Sequence, residues 1–454
     1  MEQQLDNRDL FETMPIPRAV ARMCIPGVLS TIVTTVYTLA DTYFVGMLND
    51  PVQNAAVSLA VAALYINMVI SSWFGTGSSS YMSRALGKGD FAGIRKTTAS
   101  GIWWAVIFGG AVSVLYGLMQ NPIITMLGAD AQNFPVVSEY LFWTLLCGAI
   151  PSILNVVLAN MVTAEGFASY SSIGTMGGCI LNIILDPFFI LPQFLDMGAA
   201  GAGLATCLGN CAAMVYFLIL IRMRKGKTYI TLSPKQFRPD WELFKNISIV
   251  GIPAAAQALT YIVNGISRNN ILGKYGSVVV ASYGISYRIA MIPATISLGA
   301  AVGIMPLLGY NFSQKNRKRM QGIVSFALKI GILFSVVVAV LFFAFSDKLM
   351  YLFIKDPEVI QIGSVFLKIA CPTIVIMFVG YIMVNVLQAC GKGKQALFIV
   401  LARKFILEIP IMFLLDRVIS VYGMAFGEPI EEFIIMIYGM IVVKRLFDTL
   451  DAKQ

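Results

Sequence analysis

Long apolar runs separated by short polar stretches recur from residue 18 to residue 445. Twelve can be read, at about 18–47, 53–82, 94–118, 134–161, 168–192, 199–222, 242–272, 278–309, 320–345, 360–388, 395–416 and 420–443. Most hold 20 or more residues, enough for a helix to cross about 30 Å of hydrocarbon. Helices satisfy their own backbone groups, which lipid cannot do. The runs do not alternate with period two, as the strands of a membrane β-barrel would. The pattern predicts an all-α integral membrane protein with 12 transmembrane helices.

Composition agrees with this pattern. Of 454 residues, 57% are hydrophobic and only 13% charged, against about 25% charged in soluble domains, and the mean hydropathy is +0.77. The net charge of +9 does not indicate nucleic-acid binding, because Lys and Arg are confined to short segments between apolar runs. Cations follow the even-numbered helices: Arg84, Lys88, Arg95 and Lys96; Arg222, Arg224, Lys225, Lys227, Lys235 and Arg238; Lys315, Arg317, Lys318 and Arg319; Lys392, Lys394, Arg403 and Lys404. The termini add Arg8, Arg18, Lys444 and Arg445, whereas the segments after odd-numbered helices hold Asp50, Asp130, Asp196, Asp347, Asp356 and Glu358. The positive-inside rule then predicts even loops and both termini in the cytoplasm. Met1–Met14 lacks the basic start and short apolar core of a cleaved signal peptide. There is no histidine, so proton handling near neutral pH falls to a displaced carboxylate, Cys, Tyr or Lys. The odd number of cysteines, seven, argues against a disulfide framework.

The chain repeats at an offset of about 225. Ile25-Pro26 matches Ile252-Pro253, Asp41 falls opposite Arg268, Asn160 opposite Asn385, and Ile184-Leu185-Asp186 opposite Ile406-Leu407-Glu408. Six helices are therefore followed by six in the same orientation, as two pseudo-symmetric lobes built from parallel repeats. The expected division is residues 1–222, a cytoplasmic linker over 223–240, and residues 241–454. Parallel repeats of this kind let two lobes rock around a central site.

Polar side chains inside such spans are expensive to keep, so each is a functional candidate. Asp41 lies about 15 residues after Pro26, about 22 Å along a helix, in the outer half of the membrane. It is either a buried carboxylate or an interfacial one at a helix end. Asn182 and Asp186 are four apart, on one helix face, and Pro187 frees a carbonyl beside them. Such hard oxygen ligands suit Na⁺ or a carboxylate holding a proton; the alternative is a polar pair sealing a kink. Thr206 could add a hydroxyl. In the second half, Arg268, Arg288 and Glu408 are flanked by apolar sequence. They form a locking ion pair, snorkel to the interface, or line a cargo cavity together with Tyr37, Asn155, Asn160, Asn264 and Tyr283. Gly75-Thr76-Gly77-Ser78-Ser79-Ser80 lacks the Gly-Lys-Ser/Thr ending of a phosphate loop. With no nucleotide motif, transport would be driven by an ion gradient.

Leu39-Ala40-Asp41-Thr42-Tyr43-Phe44-Val45-Gly46 with Pro26, Arg84-Ala85-Leu86-Gly87, Leu181-Asn182-Ile183-Ile184-Leu185-Asp186-Pro187, Gly201-Ala202-Gly203-Leu204-Ala205-Thr206, and Ala281-Ser282-Tyr283-Gly284-Ile285-Ser286 with Arg288 together resemble the multidrug and toxic compound extrusion (MATE) transporters, in particular their bacterial multidrug-efflux branch. The resemblance covers essentially the whole chain. It implies a monomeric antiporter of a prokaryotic cytoplasmic membrane, with no enzyme activity and no cofactor, exporting amphipathic, cationic small molecules in exchange for H⁺ or Na⁺. It further implies that Asp41, Asn182, Asp186 and Thr206 couple the ion, with Na⁺, if used, at Asp41, Asn182 and Asp186, and that helix 1 bends at Pro26. Arg268 departs from relatives that carry a carboxylate in the second lobe, leaving Glu408 as the candidate there. A lipid-linked glycan flippase, which would use a cationic cavity, an intramembrane enzyme, which would need a nucleophile–base pair or metal cluster, and a channel are the alternatives.

Overall fold

The computed structural model describes residues 8–237 and 239–451. Arg238, counted among the loop cations, and the first seven and last three residues lie outside them. A short helical turn over 8–12 leads into twelve long helices. These are α1 (Ile16–Gly46), α2 (Pro51–Lys88), α3 (Phe91–Met126), α4 (Phe134–Cys147 and Ala149–Ala164), α5 (Ala168–Ile190) and α6 (Gly198–Met223), then α7 (Trp241–Leu272), α8 (Ser277–Ser313), α9 (Arg317–Ala344), α10 (Pro357–Ala389), α11 (Gly393–Leu401, Ala402–Glu408 and Ile409–Ile419) and α12 (Gly427–Asp451). No strand occurs among the described residues.

Local chemistry sets the helix ends. Asp50, Asp90, Asp240, Asn316 and Asp356 each accept a backbone N–H at a helix start, satisfying groups that have no partner inside the helix. Asp90 and Asn316 cap α3 and α9 with nearly the same backbone angles, so the internal repeat extends to the caps. Gly166 and Gly391, also 225 apart, both take positive φ in the turns after α4 and α10. Helix α4 bends by 49° at Gly148, where a Cβ would lie 2.6 Å from the Trp143 carbonyl oxygen.

Among the described residues, nine helices are long and apolar enough to cross a membrane alone, and bent α4 makes a tenth. Helices α11 and α12 complete the twelve but carry charge inside their apolar stretches. Those charges are buried against one another, which is how ionised groups persist at membrane depth. Large apolar side chains such as Leu118, Leu333, Val340 and Leu414 are exposed on the outside of the bundle, as a lipid-facing surface requires.

The twelve helices alternate in direction, so one end of the bundle gathers the start of α1, the α2–α3, α4–α5, α6–α7, α8–α9 and α10–α11 turns and the end of α12. We call it the basic end. There the two lobes are stitched together. Ser80 Oγ donates to the Gln388 carbonyl at 2.6 Å, Arg84 Nη1 to the Ala389 carbonyl at 3.1 Å, and the Gln314 amide to the Gly87 carbonyl. Deeper in, Trp73 Nε1 donates to Ser248 Oγ at 3.0 Å, and Cys24 Sγ to the Ala300 carbonyl at 3.3 Å. Small residues permit the approach: a Cβ on Gly303 would sit 2.9 Å from Cys24 Cα, and one on Gly309 2.9 Å from Ser83 Cβ.

Candidate functional site

In the first lobe, α5 and α6 pack backbone to backbone. A Cβ at Gly178 would lie 2.6 Å from the Gly209 carbonyl oxygen, and one at Gly209 2.7 Å from that of Gly178. One turn on, this contact sets Thr206 beside Asn182: Asn182 Nδ2 donates to Thr206 Oγ1 at 3.3 Å. Helix α1 lies against α5, with Ser30 Oγ donating to the Ser172 carbonyl at 3.4 Å and Thr34 Oγ1 3.7 Å from Cys179 Sγ. That brings Tyr37 Oη to 3.4 Å from Thr206 Oγ1. Asp41 follows Tyr37 by one turn on α1, and Asp186 follows Asn182 by one turn on α5, so both carboxylates extend the same contact. Asp41, Asn182, Asp186, Thr206 and Tyr37 therefore share one site.

The site's acceptors outnumber its donors. Asp41 Oδ1, Asn182 Oδ1 and both carboxylate oxygens of Asp186 are buried without a hydrogen-bond partner, and Asp186 has no exposed surface. A buried polar group left unmade costs about 1–3 kcal/mol, more when charged, and native proteins rarely leave several together. Oxygens of this kind fit a proton or a hard monovalent cation.

Asn155 and Asn160 part company. Asn155 donates to Asn210 Oδ1 at 3.1 Å, and Asn210 donates to the Thr206 carbonyl at 2.9 Å, so Asn155 borders the site through one intermediary. Asn160 bonds the Val156 carbonyl of its own helix, and its amide lies against the backbone of Gly75. Tyr140, 3% exposed and with its carbonyl oxygen against Gly203 one turn from Thr206, was not anticipated.

The second lobe holds a network of charges. Arg268 Nη2 meets Glu408 Oε1 at 2.5 Å and Glu428 Oε2 at 2.8 Å, and Asn264 Nδ2 donates to Glu408 Oε1 at 2.9 Å. Lys404 pairs with Glu408 and, at 3.3 Å, with Glu431; Arg403 pairs with Glu432 and, at 3.5 Å, with Glu431. This corrects the expectation for two residues. Arg403 and Lys404, counted among the cations of the basic loops, are 8% and 7% exposed inside α11. Glu428, Glu431 and Glu432 were not singled out, although the spacing i, i+3, i+4 inside an apolar helix was a readable sign. Arg268 also lies 4.8 Å from the centre of the Tyr287 ring and 5.7 Å from that of Tyr283. Beyond these rings is a small cavity of about 40 Å³ lined by Tyr283, Tyr287, Phe366, Met377 and Glu428 among others. Arg288 is exposed on α8.

Duplicated six-helix lobes meeting at one end, with orphaned carboxylates sealed inside one of them, make this a membrane transporter. The family model described as MatE matches residues 26–188 and again residues 253–414. The chain belongs to the MATE family, whose members are transporters and not enzymes. It is 28% identical over 447 residues to the multidrug export protein MepA of Staphylococcus aureus (strain MSSA476), covering 98% of this chain and 97% of that one. It is likewise 28% identical over 444 residues to the protein of the same name in Staphylococcus saprophyticus. Among solved structures, it superposes with a TM-score of 0.90 on the outward-facing conformation of a multidrug resistance MATE transporter, at 23% identity and covering 95% of this chain and 96% of that one. A transporter of the MOP superfamily from Pyrococcus furiosus gives 0.89 at 23% identity, covering 98% of each.

Proposed function

We propose that this chain exports amphipathic, cationic small molecules across a prokaryotic cytoplasmic membrane, as a monomer, in exchange for H⁺ or Na⁺. The lobes are residues 1–222 and 241–454, joined by a linker over 223–240, with the basic end and both termini in the cytoplasm. Support for export comes from the names of the staphylococcal relatives. Support for ion coupling comes from one observation: the unpartnered buried oxygens of Asp41, Asn182 and Asp186.

The mechanism follows from differential binding. With the basic end closed, the cargo cavity faces outward. A proton or Na⁺ entering at Asp41 and Asp186 neutralises the site, and Asn182 and Thr206 supply the remaining oxygens. Neutralisation changes how α1 packs on α5; α1 yields at Pro26, where the Arg22 carbonyl has no ladder donor. Cargo leaves, the loaded lobes rock, and the ion departs inward. Coupling needs only that ion and cargo differ in affinity between the two states. Tyr37, Asn155, Asn160, Asn264, Arg268, Tyr283 and Glu408 border the cargo path in this reading. A glycan flippase would need an unneutralised cationic cavity, and Arg268 is neutralised by Glu408 and Glu428.

The test is dye efflux from proteoliposomes under a pH gradient alone and a sodium gradient alone. Efflux under one or both carries the reading. Absence of efflux under both gradients, with dye binding intact, overturns it.

A further inference from the structure

The residues just ahead of α1 form a device that the exchange mechanism does not use. Leu10 and Phe11 are 0% and 1% exposed, although they sit near the start of the chain. The helical turn over 8–12 closes with Thr13 N and Met14 N donating to the Asp9 carbonyl at 3.1 and 2.7 Å. Its last carbonyls have no partner inside the turn. Arg319, at the start of α9 in the second lobe, takes them: Nε donates to the Phe11 carbonyl at 2.6 Å, and Nη2 to the Leu10 and Met14 carbonyls at 3.2 and 2.8 Å. Asn311 Nδ2 adds a second bond to the Phe11 carbonyl at 3.1 Å. The Phe11 ring stacks on Tyr310 with centroids 4.8 Å apart, and Tyr310 Oη bonds Glu12.

The other side of the same two side chains faces the first lobe. A Cβ on Gly166, in the α4–α5 turn, would lie 3.0 Å from Leu10 and 3.3 Å from Phe11. Leu10 and Phe11 share one apolar core with Ala168 of α5 and with Leu307, Leu308, Met320 and Ile323 of the second lobe. The segment is thus clasped between the α4–α5 turn and the α8–α9 turn, at the end where Ser80, Arg84 and Gln314 close the lobes. Its chain continues through Pro15 directly into α1, which carries Asp41.

We propose that residues 8–14 are a latch holding the basic end shut, and that Arg319 must let go of their carbonyls each time the lobes part at that end. Charge-assisted bonds to three carbonyls and two buried apolar side chains together make a hold that is strong yet free of covalent or metal links, so it can be made and broken each cycle. The proposal rests on the alternating-access reading above.

The test uses the full chain with its native cysteines replaced, and compares pH- or sodium-driven dye efflux. Glu12→Cys with Tyr310→Cys, joined by a short bifunctional thiosulfonate, ties the segment to α8. We expect efflux to fall at least tenfold and to return on reduction. Unchanged efflux in the tied protein overturns the latch, because the segment would then ride with the second lobe throughout. In parallel, Lys88→Cys with Lys318→Cys, both exposed at the basic end, carry spin labels that report the separation of the lobes. Adding Arg319→Ala or Phe11→Ala should shift the distance distribution towards longer values. An unshifted distribution in both variants also overturns the proposal. Absence of ion-driven efflux from the wild-type chain, with Glu12 and Tyr310 intact, would instead strike the exchange reading itself.

Discussion

Asp186 has four features that rarely coincide: complete burial, an acidic side chain, no donor on either oxygen, and a second carboxylate nearby. Asp41→Asn and Asp186→Asn are close in shape to the native residues, so the fold should survive. We expect ion-driven dye efflux to fall at least tenfold in each, with dye binding and thermal unfolding in detergent near wild type. Glu165 is a different case, outside the membrane spans. It is 6% exposed and accepts from Thr228 Oγ1 and from the Tyr229 N–H, both at 2.7 Å, which ties the segment between α6 and α7 to the turn after α4. Burial pushes its carboxyl up from 4.5 to about 7, against the downward pull of those donors and of Arg224. A folded-state value raised in this way means that its stabilising share is complete below pH 4.5 and is lost as pH rises through 7. The swing is on the order of 3 kcal/mol. Glu165→Gln should remove that share of the pH dependence, read as a flatter plot of melting temperature between pH 4.5 and pH 7 than wild type gives.

At the scale of elements, α7, α11 and α12 are tied by Arg268, Lys404 and Arg403 to four carboxylates. Removing one partner leaves a buried charge uncompensated, which costs about 3–5 kcal/mol. Arg268→Met should therefore lower the melting temperature sharply, and pairing it with Glu408→Gln should recover part of the loss. Equal melting temperatures for wild type and Arg268→Met would show the network to be slack. Helix α1 makes a separate prediction. It runs unbroken from Ile16 to Gly46 with Pro26 inside, and Pro26→Ala would give the Arg22 carbonyl its missing donor. A stiffer α1 should slow efflux severalfold while dye affinity changes little; the ratio of the two effects is the measurement.

For the whole molecule, closure at the basic end is written in contacts between lobes, and the proposed exchange cycle undoes them. Ser80→Cys with Gln388→Cys, in a background without native cysteines, should cross-link in this state. Turnover should be blocked until reduction, while dye can still bind from the end opposite the basic one. At this scale the repeat was visible in the chain, through Pro26 and Pro253 and through the basic turns. The way the lobes close on each other was not, because Ser80 and Gln388 are 308 residues apart and neither is unusual in its local sequence.

The chain alone determined the number of helices, their duplication and the face shared by Asn182 and Asp186. Those depend on hydrophobic length and on the 3.6-residue helical period, both of which are local. It also marked Asp41 and Arg268 as costly. Only the tertiary structure brought Tyr37 and Thr206 to Asn182 and left Asp41 Oδ1 and both oxygens of Asp186 without donors, since that depends on how closely Gly178 meets Gly209 across two helices. It alone moved Arg403 and Lys404 from an apparent basic loop to the interior, because a charge reads as surface until its partners on another helix are known. The carbonyls that Arg319 holds were hidden for the same reason. Backbone groups look alike in every sequence, and only the fold decides which of them lack a partner.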